Sequence, residues 1–126
     1  MDIRLYKCPH CGNIVIKVID SGVPVVCCGQ KMEEIIPASV DAAVEKHVPV
    51  VEREGDKVVV KVGSAAHPMT EAHLINLIIL DTTAGVQIAE LTADDQPEAV
   101  FILAPGAEIK KTYAYCNLHG LWKGTV

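Results

Sequence analysis

Four of the five cysteines fall within the first 28 residues, and this clustering limits what the N-terminal segment can fold into. Cys8 and Cys11 form a C-x-x-C pair, whereas Cys27 and Cys28 are adjacent. The β-rich stretches around them end at Pro37. A segment of fewer than about 40 residues buries too little apolar surface to fold alone and usually needs a metal or disulfides. We therefore expect the four thiols to hold this segment together.

The cysteine pattern favours a metal over disulfides. An odd number of cysteines, four of them in two tight pairs, is typical of metal ligands in a cytosolic chain. A tetrahedral site of four thiolates takes iron or zinc, and the cysteines alone do not separate the two. In a regular strand Cys27 and Cys28 would point to opposite faces, so they can share an ion only in a turn, which Gly29 favours. His10 is expected to face solvent.

Short β-rich stretches separated by turn residues continue through the chain without a long helical period. A short helical turn is predicted at residues 39–45, and Gly55-Asp56 predicts a hairpin. The predicted strands of the N-terminal segment are residues 3–7, 14–19, 23–26 and 32–36. Those of the remainder are 48–54, 57–62, 74–81, 86–91, 99–103, 109–115 and 121–126. This spacing predicts an all-β chain whose larger part is an immunoglobulin-like antiparallel β-sandwich.

The composition argues against several classes of partner. The net charge is −5 and there is no run rich in lysine and arginine, which argues against nucleic acid and anionic membranes. Residues 1–4 lack the basic-then-apolar pattern of a signal peptide, and no apolar run approaches the ~20 residues that span a bilayer. We expect a soluble cytoplasmic protein.

The last loop of the chain contains a second candidate metal-binding pair. Cys116 and His119 are three positions apart, so one turn of backbone can present both to a single ion. His47, His67 and His73 stand at the edges of predicted strands. A lone histidine at such a place is usually a surface residue, but four of them with a cysteine favour a shared site. We predict that the five bind one iron, although their convergence stays open at the level of sequence.

The chain resembles desulfoferrodoxin, the two-iron class of superoxide reductase, essentially from end to end. The segment with the two cysteine pairs is similar to desulforedoxin, and the remainder is similar to neelaredoxin. The motifs of the remainder are Glu45-Lys46-His47-Val48-Pro49-Val50, His67-Pro68-Met69, His73 and Tyr115-Cys116-Asn117-Leu118-His119-Gly120-Leu121-Trp122.

The resemblance implies two domains and two iron ions per chain. Residues 1–37 would form a desulforedoxin-like or rubredoxin-like domain with iron on four cysteines, and residues 38–126 a superoxide reductase β-sandwich. The implied ligands of the first iron are Cys8, Cys11, Cys27 and Cys28. Those of the second are four equatorial histidines, His47, His67, His73 and His119, and the axial Cys116. A homodimer and a rubredoxin-like electron donor are also implied.

The implied reaction is the one-electron reduction of superoxide to hydrogen peroxide, without release of dioxygen, as suits an anaerobe. An axial thiolate donates electron density to iron, which favours this chemistry. Superoxide is an anion and the chain is net negative, so a local positive charge must attract it; Lys46 beside His47 is the candidate. By resemblance, Glu45 binds the oxidised iron as a sixth ligand. An ordinary solvated ion pair is the simpler interpretation of Glu45 and Lys46.

Two other functions fit the same residues. One is a non-catalytic binding module stapled by zinc, which would be colourless. The other is an iron electron-transfer protein whose histidine site is closed to small molecules. Binding of azide or cyanide to an open position on the iron separates the enzyme from the electron carrier.

Overall fold

The computed structural model describes residues 3–38, 47–63 and 67–124. Among these residues the regular structure consists of twelve β-strands, which confirms the predicted all-β class. The chain divides into two compact units, Met1–Ile36 and Pro37–Val126. In the described part, helices of the length and apolarity needed to cross a membrane are absent. The helical turn predicted at residues 39–45 lies outside the described residues.

The first unit contains a three-stranded antiparallel sheet and a small hairpin. In the sheet, β1 (Leu5–Lys7) lies between β2 (Ile14–Ile16) and β5 (Glu33–Ile35). The hairpin pairs β3 (Val26–Cys27) with β4 (Gln30–Lys31).

Two strand predictions in this unit were wrong in their bounds. The strand predicted at 14–19 ends at Ile16, because its partner strand begins with Leu5, directly opposite. The strand predicted at 23–26 is replaced by β3, which begins at Val26 and includes Cys27, since the hairpin to β4 sets the pairing there.

The second unit is an antiparallel β-sandwich, as predicted. Seven strands are seen in its described residues: β6 (Pro49–Glu54), β7 (Lys57–Val62), β8 (Ile75–Thr82), β9 (Gly85–Glu90), β10 (Glu98–Ile102), β11 (Ile109–Cys116) and β12 (Gly120–Gly124). One sheet has the order β10-β7-β6 and the other β12-β11-β8-β9. Their bounds agree with the predicted strands to within two residues, except that β12 is described only to Gly124.

The hairpin predicted at Gly55-Asp56 joins β6 to β7. Glu54 pairs with Lys57, so the loop has two residues. Gly55 has a φ of 61°, which suits a two-residue hairpin turn with glycine first. The turn chemistry therefore fixes the register of this pair of strands.

The core of the sandwich is built from strands in which buried apolar side chains alternate with more exposed ones. In β7, Val58, Val60 and Val62 are buried, and full burial of such a side chain contributes roughly 1.5–3 kcal/mol. The core consists of Val58, Val60, Val62, Ile75, Ile78, Leu80, Ala99, Phe101, Leu103, Ala107, Ala114 and Cys116. A register shift between Tyr115 and Cys116 interrupts the pairing of β11 with β8, and such bulges re-aim side chains. Cys116 thus sits at the end of a long strand and inside the core.

Candidate metal centres

The first unit brings Cys8, Cys11, Cys27 and Cys28 together, and we call them the four-cysteine cluster. Their sulfurs lie within 4.8 Å of one another. Cys11 Sγ and Cys27 Sγ are 3.6 Å apart, close to the ~3.8 Å between two thiolates on one tetrahedral ion with ~2.3 Å bonds. His10 is exposed, as predicted. The arrangement fits one tetrahedral metal ion.

Two turns position the four sulfurs. In the first, the amide of Gly12 donates to the carbonyl of Cys8 at 3.0 Å. In the second, Cys28 and Gly29 have φ values of 53° and 73°, and Cys27 pairs with Gln30 across them. Positive φ at both central residues is the signature of a type I′ hairpin turn. The adjacent cysteines therefore lie in a turn, as their sharing of one ion requires.

The four thiols influence one another's ionisation. The backbone N–H of Cys11, 3.4 Å from Cys8 Sγ, lowers the pKa of the Cys8 thiol to about 6. The Cys11 side chain raises the pKa of Cys27 and raises that of Cys28 to about 12. Several thiolates at such short range repel one another. A bound divalent or trivalent cation would offset this repulsion with its own positive charge and would keep all four coordinating thiols deprotonated.

The second unit brings together the five other predicted ligands, which we call the histidine–cysteine cluster. One donor atom from each of His47, His67, His73, Cys116 and His119 lies within 4.8 Å of the others. His47, His67 and Cys116 are buried, whereas His73 is half-buried and His119 exposed. The cluster therefore has a core side and a solvent side, and a small molecule can reach it.

The four imidazoles form a closed cycle. Neighbouring ring centroids are 4.7 Å apart for His47–His67 and His67–His73, and 5.0 Å apart for His73–His119 and His119–His47. The planes of neighbouring rings meet at 62° to 83°, so each ring turns an edge toward the next. Cys116 Sγ lies 3.8 Å from His119 Nδ1. A metal ion at the centre of this cycle would be held by four imidazoles and by the thiolate as a fifth donor.

Distances and proton positions fit a shared ion. His47 Nε2 and His119 Nδ1 are 3.1 Å apart, close to the ~3.0 Å between two imidazole nitrogens at right angles on one ion with ~2.1 Å bonds. His67 Nδ1 lies 2.7 Å from the carbonyl oxygen of Pro68. A carbonyl only accepts, so Nδ1 carries the proton and the Nε2 lone pair is left for a metal.

Two polar residues that the sequence did not single out hold the ligand loops. Asn117 Oδ1 accepts from the amide of Leu74 at 2.9 Å, and Asn117 Nδ2 donates to the carbonyl of Ala72 at 3.1 Å. Thr70 Oγ1 accepts from the amide of His73 at 3.1 Å. The position of Asn117 between two predicted ligands was the available signal for its role. Glu45 and Lys46 lie outside the described residues.

Comparison with known proteins follows the same division into two parts. The family model described as Desulfoferrodoxin matches residues 39–125, and the one described as Desulfoferrodoxin, N-terminal domain, matches residues 2–35. The chain belongs to the desulfoferrodoxin family. A Desulfoferrodoxin from Syntrophotalea carbinolica is 47% identical over 120 residues, 95% of this chain and 94% of the relative.

Relatives that carry the activity in their names also match. A Superoxide reductase from Pyrococcus abyssi is 41% identical over 100 residues, 65% of this chain and 86% of the relative. The crystal structure of the superoxide reductase from Treponema pallidum matches with a TM-score of 0.87 at 35% identity, over 98% of each chain. With the histidine–cysteine cluster in place, the chain is a superoxide reductase, as predicted. Its two clusters are consistent with the two iron centres of desulfoferrodoxin.

Proposed function

We propose that His47, His67, His73, His119 and Cys116 hold the iron at which superoxide is reduced to hydrogen peroxide. The observation that carries this proposal is the convergence of the five donor atoms within 4.8 Å. A ferrous ion held by these five residues would supply the electron that, with two protons, converts superoxide to hydrogen peroxide, and an external donor would have to return that electron.

The chain's own residues prepare this site. The imidazoles bind as neutral donors, and the Pro68 carbonyl fixes the ring proton of His67 on the side away from the cluster. Cys116 is fully buried in the sandwich core, which keeps water from its sulfur while the thiolate donates electron density to the ion. The exposed His119 marks the side from which superoxide arrives.

The geometry favours this function over the two alternatives. A binding module stapled by zinc accounts for the four-cysteine cluster alone. Structural zinc is almost always tetrahedral with four ligands, whereas the second cluster offers four imidazoles in a cycle and a fifth donor. A pure electron carrier needs no open position, and the partly exposed His73 and His119 leave one side of the cluster accessible.

Reaction stoichiometry tests the proposal. Protein purified without oxygen is expected to contain two irons per chain and, in its reduced form, to give one hydrogen peroxide for each superoxide consumed without evolving dioxygen. One peroxide for every two superoxide radicals, with dioxygen evolved, would indicate a dismutase instead. Stoichiometric zinc with negligible iron in protein from its native host would also contradict the proposal.

We propose residues 1–37 as the domain that binds iron through Cys8, Cys11, Cys27 and Cys28, and residues 38–126 as the catalytic domain. The division of the chain after Ile36 supports this boundary. The 3.6 Å distance between the Cys11 and Cys27 sulfurs supports the first ligand set.

Lys46 and Glu45 are proposed to act on the anion. A positive charge near the open side would offset the net charge of −5 and attract superoxide. Support for Lys46 comes from its position next to His47 in the chain. Glu45 is proposed, by family resemblance, to bind the oxidised iron after peroxide has left.

The electron donor, the dimer and the cellular location complete the proposal. A rubredoxin-like donor is proposed by family resemblance, and the exposed His119 gives it a side from which to approach the cluster. A homodimer is supported by the exposed apolar side chains Val18, Ile19 and Val23 on the small first unit. Sedimentation of the holoprotein at two concentrations tests the dimer. We place the protein in the cytoplasm, because cysteines in tight pairs are typical of metal ligands in a reducing compartment.

A further inference from the structure

One histidine of the cluster makes an aromatic contact of a different kind from the rest. The indole of Trp122 stacks on the ring of His47, with the centroids 4.6 Å apart and the planes only 13° from parallel. The contacts between neighbouring histidines are edge-on instead, at 62° to 83°. Trp122 is 9% exposed, so the stack lies on the core side of the cluster.

The backbone of Trp122 is held from two sides. In the sheet, Trp122 pairs with Ala114 of β11. On its other side, the amide of Ala38 donates to the carbonyl of Leu121 at 2.9 Å, and the amide of Lys123 donates to the carbonyl of Ala38 at 2.8 Å. These bonds fix the backbone from which the indole extends, and burial of the side chain leaves its ring little room to turn. A ring plane that is held in this way can set the plane of a ring stacked on it.

The indole N–H does not explain the position of the ring. Trp122 Nε1 is buried and, within the residues described, has no hydrogen-bond partner, although a buried indole N–H usually finds one. The flat face against His47 is the contact that the structure provides.

We propose that Trp122 is a positioning residue for the iron site: its indole face sets the ring plane of His47 and so aims Nε2 at the metal. The torsion that turns an imidazole is broad, and a ligand held within about 10–20° of its productive geometry needs support from its surroundings. Here the support is a stacked aromatic face. This inference rests on the proposed role of His47 as a ligand.

Three variants test the role. Trp122→Phe keeps a flat aromatic face of smaller area and removes the N–H, for which the described residues offer no acceptor, so its ferric electron paramagnetic resonance spectrum should match that of the parent. Trp122→Leu removes the face; we expect a broadened or multiple ferric signal from this site and faster loss of its iron to a chelator, on the order of tenfold. Phe101→Leu, a buried core aromatic of the same unit, should lower stability but leave the signal and the release rate unchanged.

These variants also distinguish positioning from simple packing. If Trp122→Leu keeps the parent signal and release rate, or if Phe101→Leu changes both equally, the positioning role is wrong. If the parent lacks iron at this site, the proposed function is refuted. The contact between Trp122 and His47 is then tested by the measurement on metal-free protein described next.

A second measurement does not depend on how Trp122 variants fold. Trp122 is the one tryptophan of the chain, and an imidazole in contact with an indole lowers its fluorescence. In metal-free protein, His47→Gln should therefore raise the emission yield of Trp122, because the stacked imidazole is lost. His73→Gln is the matched control, because its ring contacts His67 and His119, and it should leave the emission unchanged. Equal emission from parent and His47→Gln would overturn the proposal.

Discussion

The two units hold their clusters in opposite ways. In the first unit the ligands lie on turns between strands of two or three residues, and Cys11 and Cys28 are exposed. In the sandwich, Cys116 ends an eight-residue strand and belongs to the hydrophobic core. The comparison indicates that a metal substitutes for a core in the first unit, whereas in the second it occupies a site that the core has already built.

The apolar side chains show the same difference. The buried ones among residues 3–36 are Ile3, Leu5, Cys8 and Met32, and the large exposed ones are Val18, Ile19, Val23, Val26 and Ile36. The exposed set is larger than the buried one, five side chains against four, which leaves little hydrophobic burial to offset the entropy of folding. The sandwich buries the sides of two sheets against each other. We therefore expect the sandwich to stay folded without iron.

The backbone of the first unit also carries strain. Among the described residues, Cys28 is the only one other than glycine with a positive φ. This conformation costs a residue with a side chain roughly 1–2 kcal/mol. Bonds from the sulfurs to a metal can offset this cost, because metal binding to a small domain is coupled to its folding.

The largest effect is expected from Cys28→Ser. It should remove the iron of the four-cysteine cluster, so that the iron content falls from two to one per chain, and loosen residues 1–36, since little else stabilises them. The sandwich should keep its iron and its reaction with superoxide. Iron analysis, amide exchange and pulse radiolysis measure the three effects. Loss of activity with the second site fully loaded would show that the units are not independent.

Cys116→Ser should abolish the chemistry while keeping the fold. The thiolate-to-iron charge-transfer band of the oxidised protein and the production of peroxide should both disappear. Because the site is in the core, a hydroxyl there should also lower the free energy of unfolding by about 1–3 kcal/mol. Visible spectroscopy and denaturant titration provide the test. An unchanged spectrum would mean that the sulfur does not bind the iron.

Asn117→Ala should weaken the link between the loops that carry His73 and His119. It removes the bonds to Leu74 and Ala72, so we expect the sandwich to lose about 1–3 kcal/mol and its iron to leave faster. The matched change in the first unit is Asn13→Ala, which removes a longer 3.6 Å contact with Cys27 Sγ and should cost less than about 1 kcal/mol. Equal effects of both variants on their own sites would contradict the contrast between the units.

Lys46→Ala is expected to have the smallest effect, confined to the rate with superoxide. All five proposed ligands stay in place, so iron content and spectrum should match the parent. The second-order rate constant should fall roughly tenfold, or about 1.4 kcal/mol. Added salt should slow the parent more than the variant, because it screens the charge that the variant lacks. Pulse radiolysis at two ionic strengths checks this, and equal rates at low salt would make Lys46 a bystander.

Local patterns in the sequence predicted much of the fold. Alternating residues and the Gly55-Asp56 turn indicate neighbouring strands directly, so the sandwich and its hairpin were predictable. Cysteines in a segment too short for a core predicted the first cluster. For the second cluster, the number of candidate ligands favoured a shared site but did not establish it. Their convergence depends on the pairing of distant strands, which no local pattern specifies.

Contacts between distant residues carry no local signal. The stack of Trp122 on His47 and the bonds from Asn117 to Leu74 and Ala72 join residues that are far apart in the chain. The turn at Cys28 was predicted, and the strand before it was predicted at residues 23–26, out of place by most of its length. The strand after it, β4, was not predicted, since strands of two residues have no periodicity to read.

Amide exchange of the parent protein, with and without its metals, tests the contrast between the units most directly. After both irons are removed with a chelator under reducing conditions, residues 1–36 should exchange at least about tenfold faster than in the holoprotein. The sandwich strands β7, β8 and β11 should keep their protection, with changes limited to the loops of the histidine–cysteine cluster. Protection that collapses equally in both units, or persists in both, would contradict the account.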